Sequence, residues 1–141
     1  MNNQNFYTFK GYEAINSNIL TPSMEDYLEM ICRILETEKV VRINRLSEEL
    51  NVKPSSASKM VNNLKEAGLL YYEKYGYVCL SDEGKSVGDY LIFRHSVLNR
   101  LLCYINGTEN ELEQVEKIEH FINKDTVMNI QKFLDKICPD F

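Results

Sequence analysis

The sequence predicts a mainly α chain, with an N-terminal winged helix-turn-helix that carries a two-stranded wing, followed by a helical domain. Three observations predict it. From Thr21 onward apolar residues recur at helical spacing over most of the chain. A proline-opened helix follows a shorter one after a brief polar break, and two β-prone runs flank a glycine directly behind that pair. A helix, a helix-turn-helix and a hairpin in that order make a winged helix.

The elements are justified in turn. Residues 1–20 are polar with interspersed aromatics and show no period, so they read as an arm that Phe6, Tyr7, Phe9 and Tyr12 can pin to the body. Thr21-Pro22 pairs a capping hydroxyl with a first-turn proline, and Met24, Leu28, Ile31, Ile34 and Leu35 then mark one helix face to about Glu38. Val40-Val41 reads as a short strand. Asn44 is the expected cap of a short helix carrying Leu46 and Leu50. Pro54 opens the next, with Ala57, Met60, Val61 and Leu64 inward and Gly68 as its left-handed end. Leu69–Glu73 and Tyr77–Leu80 around Gly76 make the hairpin. Ser81 caps a long helix that ends near Gly107, and Thr108 and Glu111 have capping-box spacing for a helix through about Phe121. A last helix runs from Lys124 to Ile137, before Pro139.

The chain of 141 residues, 44% hydrophobic, can bury a core of one domain or two small ones. No apolar run approaches the roughly 18 residues of a membrane span, and the N-terminus lacks a signal-peptide pattern, so a cytoplasmic protein with no membrane partner is expected. Cys32, Cys79, Cys103 and Cys138 are scattered without a C-x-x-C pair and read as small thiols rather than staples or a zinc site. A net charge of −5 sits poorly with nucleic-acid binding, but residues 42–74 run the other way, with six basic side chains against four acidic.

The helix opened by Pro54 is the candidate DNA reader. Ser55, Ser56, Ser58, Lys59, Asn62 and Asn63, with Lys53 just before them, offer hydroxyl, amide and ammonium groups to base edges and phosphates. Its first N–H groups suit a phosphate, and Lys74 and Tyr75 at the wing tip can reach the backbone or minor groove. On the helix alone, a merely soluble surface explains these residues equally well; the helix–turn–helix–hairpin order favours double-stranded DNA.

A second constellation is acidic. Asp26 and Glu29 share a face of the first helix, and Glu116, Glu119 and His120 share one on the fifth. His95 lies inside the long fourth helix among apolar residues. Each group alone has an ordinary explanation: helix-dipole acids, a solvated face, a satisfied core histidine. Convergence of the three helices would make an oxygen-rich, thiolate-free site suited to manganese or iron(II), with room for two ions.

On T-P-S-M-E-D-Y-L-E (21–29), P-S-S-x-S-K-M-V (54–61), Y-E-K-Y (72–75), R-H (94–95) and V-E-x-I-E-H (115–120), the sequence resembles the diphtheria-toxin-repressor family, and most closely its manganese branch. The resemblance runs from about Thr21 to Ile137. It implies metal ligands at Asp26, Glu29, His95, Glu116, Glu119 and His120, forming a binuclear Mn2+ site with Glu29 and Glu119 bridging and the Glu116 carbonyl joining. The iron branch has methionine in place of Asp26 and cysteine in place of Glu116, so hard oxygen here favours manganese, with Fe2+ still an alternative signal. It further implies a homodimer built from a winged helix-turn-helix at 21–81 and a helical metal-binding and dimerisation domain at 82–141; the arm at 1–20 departs from the short manganese regulators, which lack it. The SH3-like third domain of the iron branch is not expected.

The implied activity is metal-dependent repression at an operator, without organic cofactor or catalysis. Two other readings are weighed: a metalloenzyme, which leaves the winged segment unexplained, and a winged-helix regulator that senses an organic ligand.

Overall fold

The structure is a computed structural model and describes residues 20–73 and 76–139. The arm aromatics, Lys74 and Tyr75 lie outside the described residues. Helix α1 (Pro22–Thr37) begins as expected, with Thr21 Oγ1 accepting from the Met24 N–H at 3.2 Å and proline in the first turn. It is followed by α2 (Ile43–Leu50) and α3 (Pro54–Glu66), then by the antiparallel strands β1 (Leu70–Tyr72) and β2 (Val78–Leu80). Their register pairs Leu70 with Leu80, Tyr71 with Cys79 and Tyr72 with Val78. Helix α4 (Asp82–Asn106) leads to α5 (Leu112–Ile118), a 3₁₀ turn (Glu119–Phe121) and α6 (Lys124–Ile137).

The core forms where α1 meets α2, α3, the hairpin and the first half of α4. Leu28, Ile31, Leu46, Ala57, Val61, Leu64, Leu70, Val78 and Leu91 are all buried in it. Helix α4 is therefore the spine of the molecule: Val87, Tyr90 and Leu91 pack into this core, while its later turns carry α5, the 3₁₀ turn and α6. Helices α1 and α4 come very close at Gly88, where an added Cβ would stand 2.0 Å from Cys32 Sγ. Burial raises the Cys32 thiol pKa to about 11, with nearby Asp89 adding to it, so the sulfur is a packing group at neutral pH.

Four local expectations are revised. Val41 makes only an isolated bridge to Val78, with the Val78 N–H donating to its carbonyl at 2.7 Å, and no separate strand forms there. Helix α2 starts one residue before Asn44, with Arg42 at the cap; the Leu46 N–H already closes on the Arg42 carbonyl at 3.1 Å. Thr108 does not cap α5. Its hydroxyl meets Glu111 Oε1 at 3.2 Å, while Asn99 Oδ1 accepts from the Glu111 N–H at 2.9 Å and Asn110 Oδ1 from the Leu112 N–H at 2.8 Å. Finally, the α-helix stops at Ile118, and Glu119–Phe121 tighten to 3₁₀ geometry. The ends of α3 and α4 match expectation: Gly68 is left-handed at φ +82°, and Ser81 Oγ accepts from the Gly84 N–H at 3.0 Å.

Candidate metal centre and DNA-reading face

Because α1 packs along α4, Asp26 and Glu29 are carried to the level of His95. The turn after α5 brings Glu116, Glu119 and His120 to the same place. The six acids and imidazoles gather in two trios. One ligand atom from each of Asp26, Glu119 and His120 lies within 4.8 Å of the others, and the same holds for Glu29, His95 and Glu116. Glu116 is on the α-helix, whereas Glu119 and His120 are on the 3₁₀ turn that follows it, and Glu116 and Glu119 still approach the same His95 nitrogen.

The trios touch through His95, whose Nδ1 lies 3.4 Å from Glu119 Oε1, 3.6 Å from Glu116 Oε1 and 3.8 Å from Glu29 Oε2. His120 spans two carboxylates, with Nε2 3.0 Å from Asp26 Oδ1 and Nδ1 2.7 Å from Glu25 Oε1. Glu119 is 0% exposed and Glu29 6% exposed, which is exceptional for carboxylates. Glu119 Oε2 is buried with no hydrogen-bond partner among the described residues. An unpartnered buried carboxylate oxygen facing imidazoles and other acids fits a cation as its missing partner. A cleft of about 460 Å³ opens on the Glu29 side, lined by Asp26, Glu29, His95, Asn99 and Glu116 among others.

The electrostatics agree with this. Burial raises the Glu29 pKa, opposed by the hydrogen bond from Arg33 and reinforced by Glu119. Burial also raises that of Glu116, with Glu119, Glu29 and Asp26 adding to the effect. The hydrogen bond to Glu119 raises the pKa of His95. For His120, burial opposes the charge, but the hydrogen bonds to Asp26 and Glu25 outweigh it and bring the pKa to about 10. These groups hold protons more tightly than usual, the carboxyls chiefly through burial and the imidazoles through their carboxylate partners.

Three members of the cluster were not singled out from sequence. Arg33 binds Glu29 Oε2 through Nη2 at 2.7 Å and Nε at 3.0 Å. Arg94, 3% exposed, donates to Glu25 Oε1 at 3.1 Å and lies 3.9 Å from Glu119 Oε1. Glu25 joins Arg94 to His120. A signal was available: Arg94 falls on the apolar stripe of α4 with Leu91, Val97 and Leu98, and a cation there requires a buried acid.

On the other side of the core, Lys53, Ser55, Ser56, Lys59, Asn62 and Asn63 are exposed, and Ser58 is half-buried. Ala57, Val61 and Leu64 hold the opposite face of α3 in the core, leaving this face outward. Arg42 stacks 4.3 Å from the Tyr77 ring centroid and donates to the Tyr77 hydroxyl at 2.9 Å, adding a cation at the base of the hairpin.

Residues 19–78 match the family described as iron dependent repressor, N-terminal DNA binding domain. The chain is 40% identical over 111 residues to the HTH-type transcriptional regulator MntR of Oceanobacillus iheyensis, covering 78% of this chain and 76% of that one. The chain belongs to the diphtheria-toxin-repressor family, in its manganese regulator branch. A second family member, MntR of Geobacillus thermodenitrificans, is also 40% identical over 111 residues, covering 78% of this chain and 79% of its own. Among solved members, a manganese-dependent transcriptional repressor in complex with manganese superposes with a TM-score of 0.72 at 27% identity. The match covers 79% of this chain and 52% of that one, so the chain spans about half that repressor's length. The relatives are named as transcriptional regulators, and nearly all of the winged helix-turn-helix falls within the part that matches the family's DNA-binding domain. No helix among the described residues is long and apolar enough to cross a membrane.

Proposed function

We propose that this chain is a manganese-responsive repressor that binds operator DNA as a homodimer in the cytoplasm. The observation that carries the reading is the convergence of Asp26, Glu29, His95, Glu116, Glu119 and His120, with the buried Glu119 oxygen left without a partner. All donors are oxygen or imidazole nitrogen, and none of the four cysteines takes part, which suits a hard divalent ion such as Mn2+. Two trios support two ions per subunit, and the same donors accommodate Fe2+ as a second signal. A bound divalent ion supplies the positive charge that the crowded carboxylates lack.

The residues themselves link sensing to reading. Helix α1 holds Asp26 and Glu29 on one face and buries Leu28 and Ile31 in the winged-helix core on another. His95, Glu116, Glu119 and His120 belong to the helical part from residue 82 onward. In the metal-free protein, repulsion among the acids loosens the joint between the winged helix (21–81) and the helical dimerisation domain (82–141). Neutralising that charge sets the joint, and with it the spacing of two recognition helices on half-sites about 34 Å apart. Exposed Ile105, Met128, Phe133 and Ile137 on α4 and α6 supply apolar surface for the second copy. Lys53, Ser55, Ser56, Ser58, Lys59, Asn62 and Asn63 contact DNA, together with Lys74 and Tyr75 of the wing. Metal acts through its higher affinity for the DNA-competent arrangement.

The test is operator binding titrated with Mn2+, Fe2+ and Zn2+ in parallel, in the wild type and in Glu119→Gln combined with His120→Ala. Manganese should drive binding in the wild type and not in the variant. Metal-dependent binding that survives the double substitution would overturn the proposal.

A further inference from the structure

Glu25 is not among the family's six metal positions, yet it holds the only short contact to His120 Nδ1 among the described residues apart from that of Arg94. Resting on the manganese reading above, we infer that Glu25 is a positioning residue: it fixes His120 so that Nε2 faces the trio with Asp26 and Glu119, and Arg94 holds Glu25 in place. The imidazole has two nitrogens and can serve an ion through only one of them in this setting. Nδ1 is 2.7 Å from Glu25 Oε1, while Nε2 is 3.0 Å from Asp26 Oδ1 and faces the cluster.

The carboxylate settles which atom donates. Arg94 Nη2 lies 3.1 Å from the same Glu25 oxygen and 3.3 Å from His120 Nδ1. An ionised carboxylate only accepts, so Glu25 Oε1, 2.7 Å from Nδ1, is the shared acceptor and Nδ1 carries its hydrogen toward it. That leaves Nε2 with its lone pair available to a cation once its own proton is displaced. A carboxylate behind a ligating imidazole orients the ring and raises its basicity.

Glu25 is also placed to act rigidly. Its side chain is 13% exposed, Arg94 is 3% exposed, and the contact joins α1 to α4 and to the 3₁₀ turn across 69 and 95 residues of chain. The same device is absent from the other trio as described: His95 directs Nδ1 at the acids themselves. Loss of Glu25 should therefore weaken one of two ion sites and spare the other.

The experiment compares wild type, Glu25→Ala and Glu25→Gln by manganese calorimetry, with ¹⁵N NMR of the histidine rings in the metal-free protein and thermal melting as a check of folding. In Glu25→Ala, manganese affinity at the His120 site should fall about 10–100-fold, with the second binding step changed less than threefold. The His120 Nδ1 resonance should move while those of His95 stay. Glu25→Gln, whose amide oxygen can still accept from Nδ1, should recover part of the loss. Unchanged manganese binding and an unmoved His120 resonance in Glu25→Ala overturn the inference, as does equal weakening of both steps in a folded protein. Failure of the wild type to bind manganese at all refutes the parent reading, and the NMR comparison still decides whether Glu25 orients His120.

Discussion

At the scale of single residues, His120 concentrates the electrostatics of the cluster, since one imidazole faces Asp26 and Glu25 at once. Its folded pKa of about 10 lies above the ordinary 6.5, so the stability it contributes is fully present below about pH 6.5 and is lost as pH rises to about 10. The raised pKa values of Glu29 and Glu116 act in the same direction, because their protonated forms are favoured in the folded state. The metal-free protein should therefore melt at progressively lower temperature between about pH 6.5 and pH 10, and His120→Ala should flatten that slope. Thermal unfolding in chelator across this range checks it; a wild-type slope no steeper than that of the variant would contradict it. If manganese takes the proposed ligands it must displace these protons, and its apparent affinity should then rise over the same window.

Lys59 belongs to the same scale. It is exposed on the outward face of α3, far in role from the acids. Lys59→Ala should weaken operator binding by about 1–3 kcal/mol and leave manganese affinity without DNA unaltered. Calorimetry with metal alone and DNA binding at fixed metal separate the two; parallel losses would show that Lys59 is not a DNA contact.

At the scale of elements, the joint between the hairpin and α4 hangs on Ser81. Its hydroxyl accepts from the Gly84 N–H at 3.0 Å and donates to the Gly68 carbonyl at 2.7 Å, tying the end of α3 to the start of α4. Ser81→Ala should destabilise the protein by about 1–2 kcal/mol, read from denaturant unfolding. The α1–α4 contact offers a sharper test. A Cβ at Gly88 would meet Cys32 Sγ at 2.0 Å, so either the buried Cys32 side chain or the helix spacing must give way to admit it. Since Asp26 and Glu29 ride on α1 and His95 on α4, Gly88→Ala should weaken manganese binding as well as cost about 1–3 kcal/mol of stability. Adding Cys32→Ala should restore both, and no recovery would show that the sulfur is not the obstacle.

At the scale of the whole molecule, sensing is a matter of linkage. If manganese favours the DNA-competent arrangement, operator DNA must tighten manganese binding by the same factor, whatever the path between the sites. Manganese at about a hundred times its dissociation constant should raise folding stability by ~2.7 kcal/mol. Deleting residues 1–20 should leave the manganese response of DNA binding in place, because no metal or DNA position assigned above lies in the arm. A deletion variant that no longer responds would assign the arm a part in the switch.

The elements were largely legible because their signals are local. Thr21-Pro22, Pro54, Gly68 and Ser81 mark boundaries through their own backbone and side-chain chemistry, and periodic Leu, Ile and Val show which face turns inward. Ligand types were legible too, since only acids and imidazoles at helical spacing offer this donor set. What spacing could not decide is where partners from distant elements meet. Asn99 of α4 took the cap expected of Thr108, and the chain after Ile118 tightened to a 3₁₀ turn where an α-helix to about Phe121 was expected. Glu25 and Arg94 acquired their roles only because α1 lies along α4, 69 residues apart in the chain. Helix, strand and donor chemistry follow from short-range forces within a few residues, whereas the sorting of those donors into two trios with a buried arginine behind them follows from long-range packing.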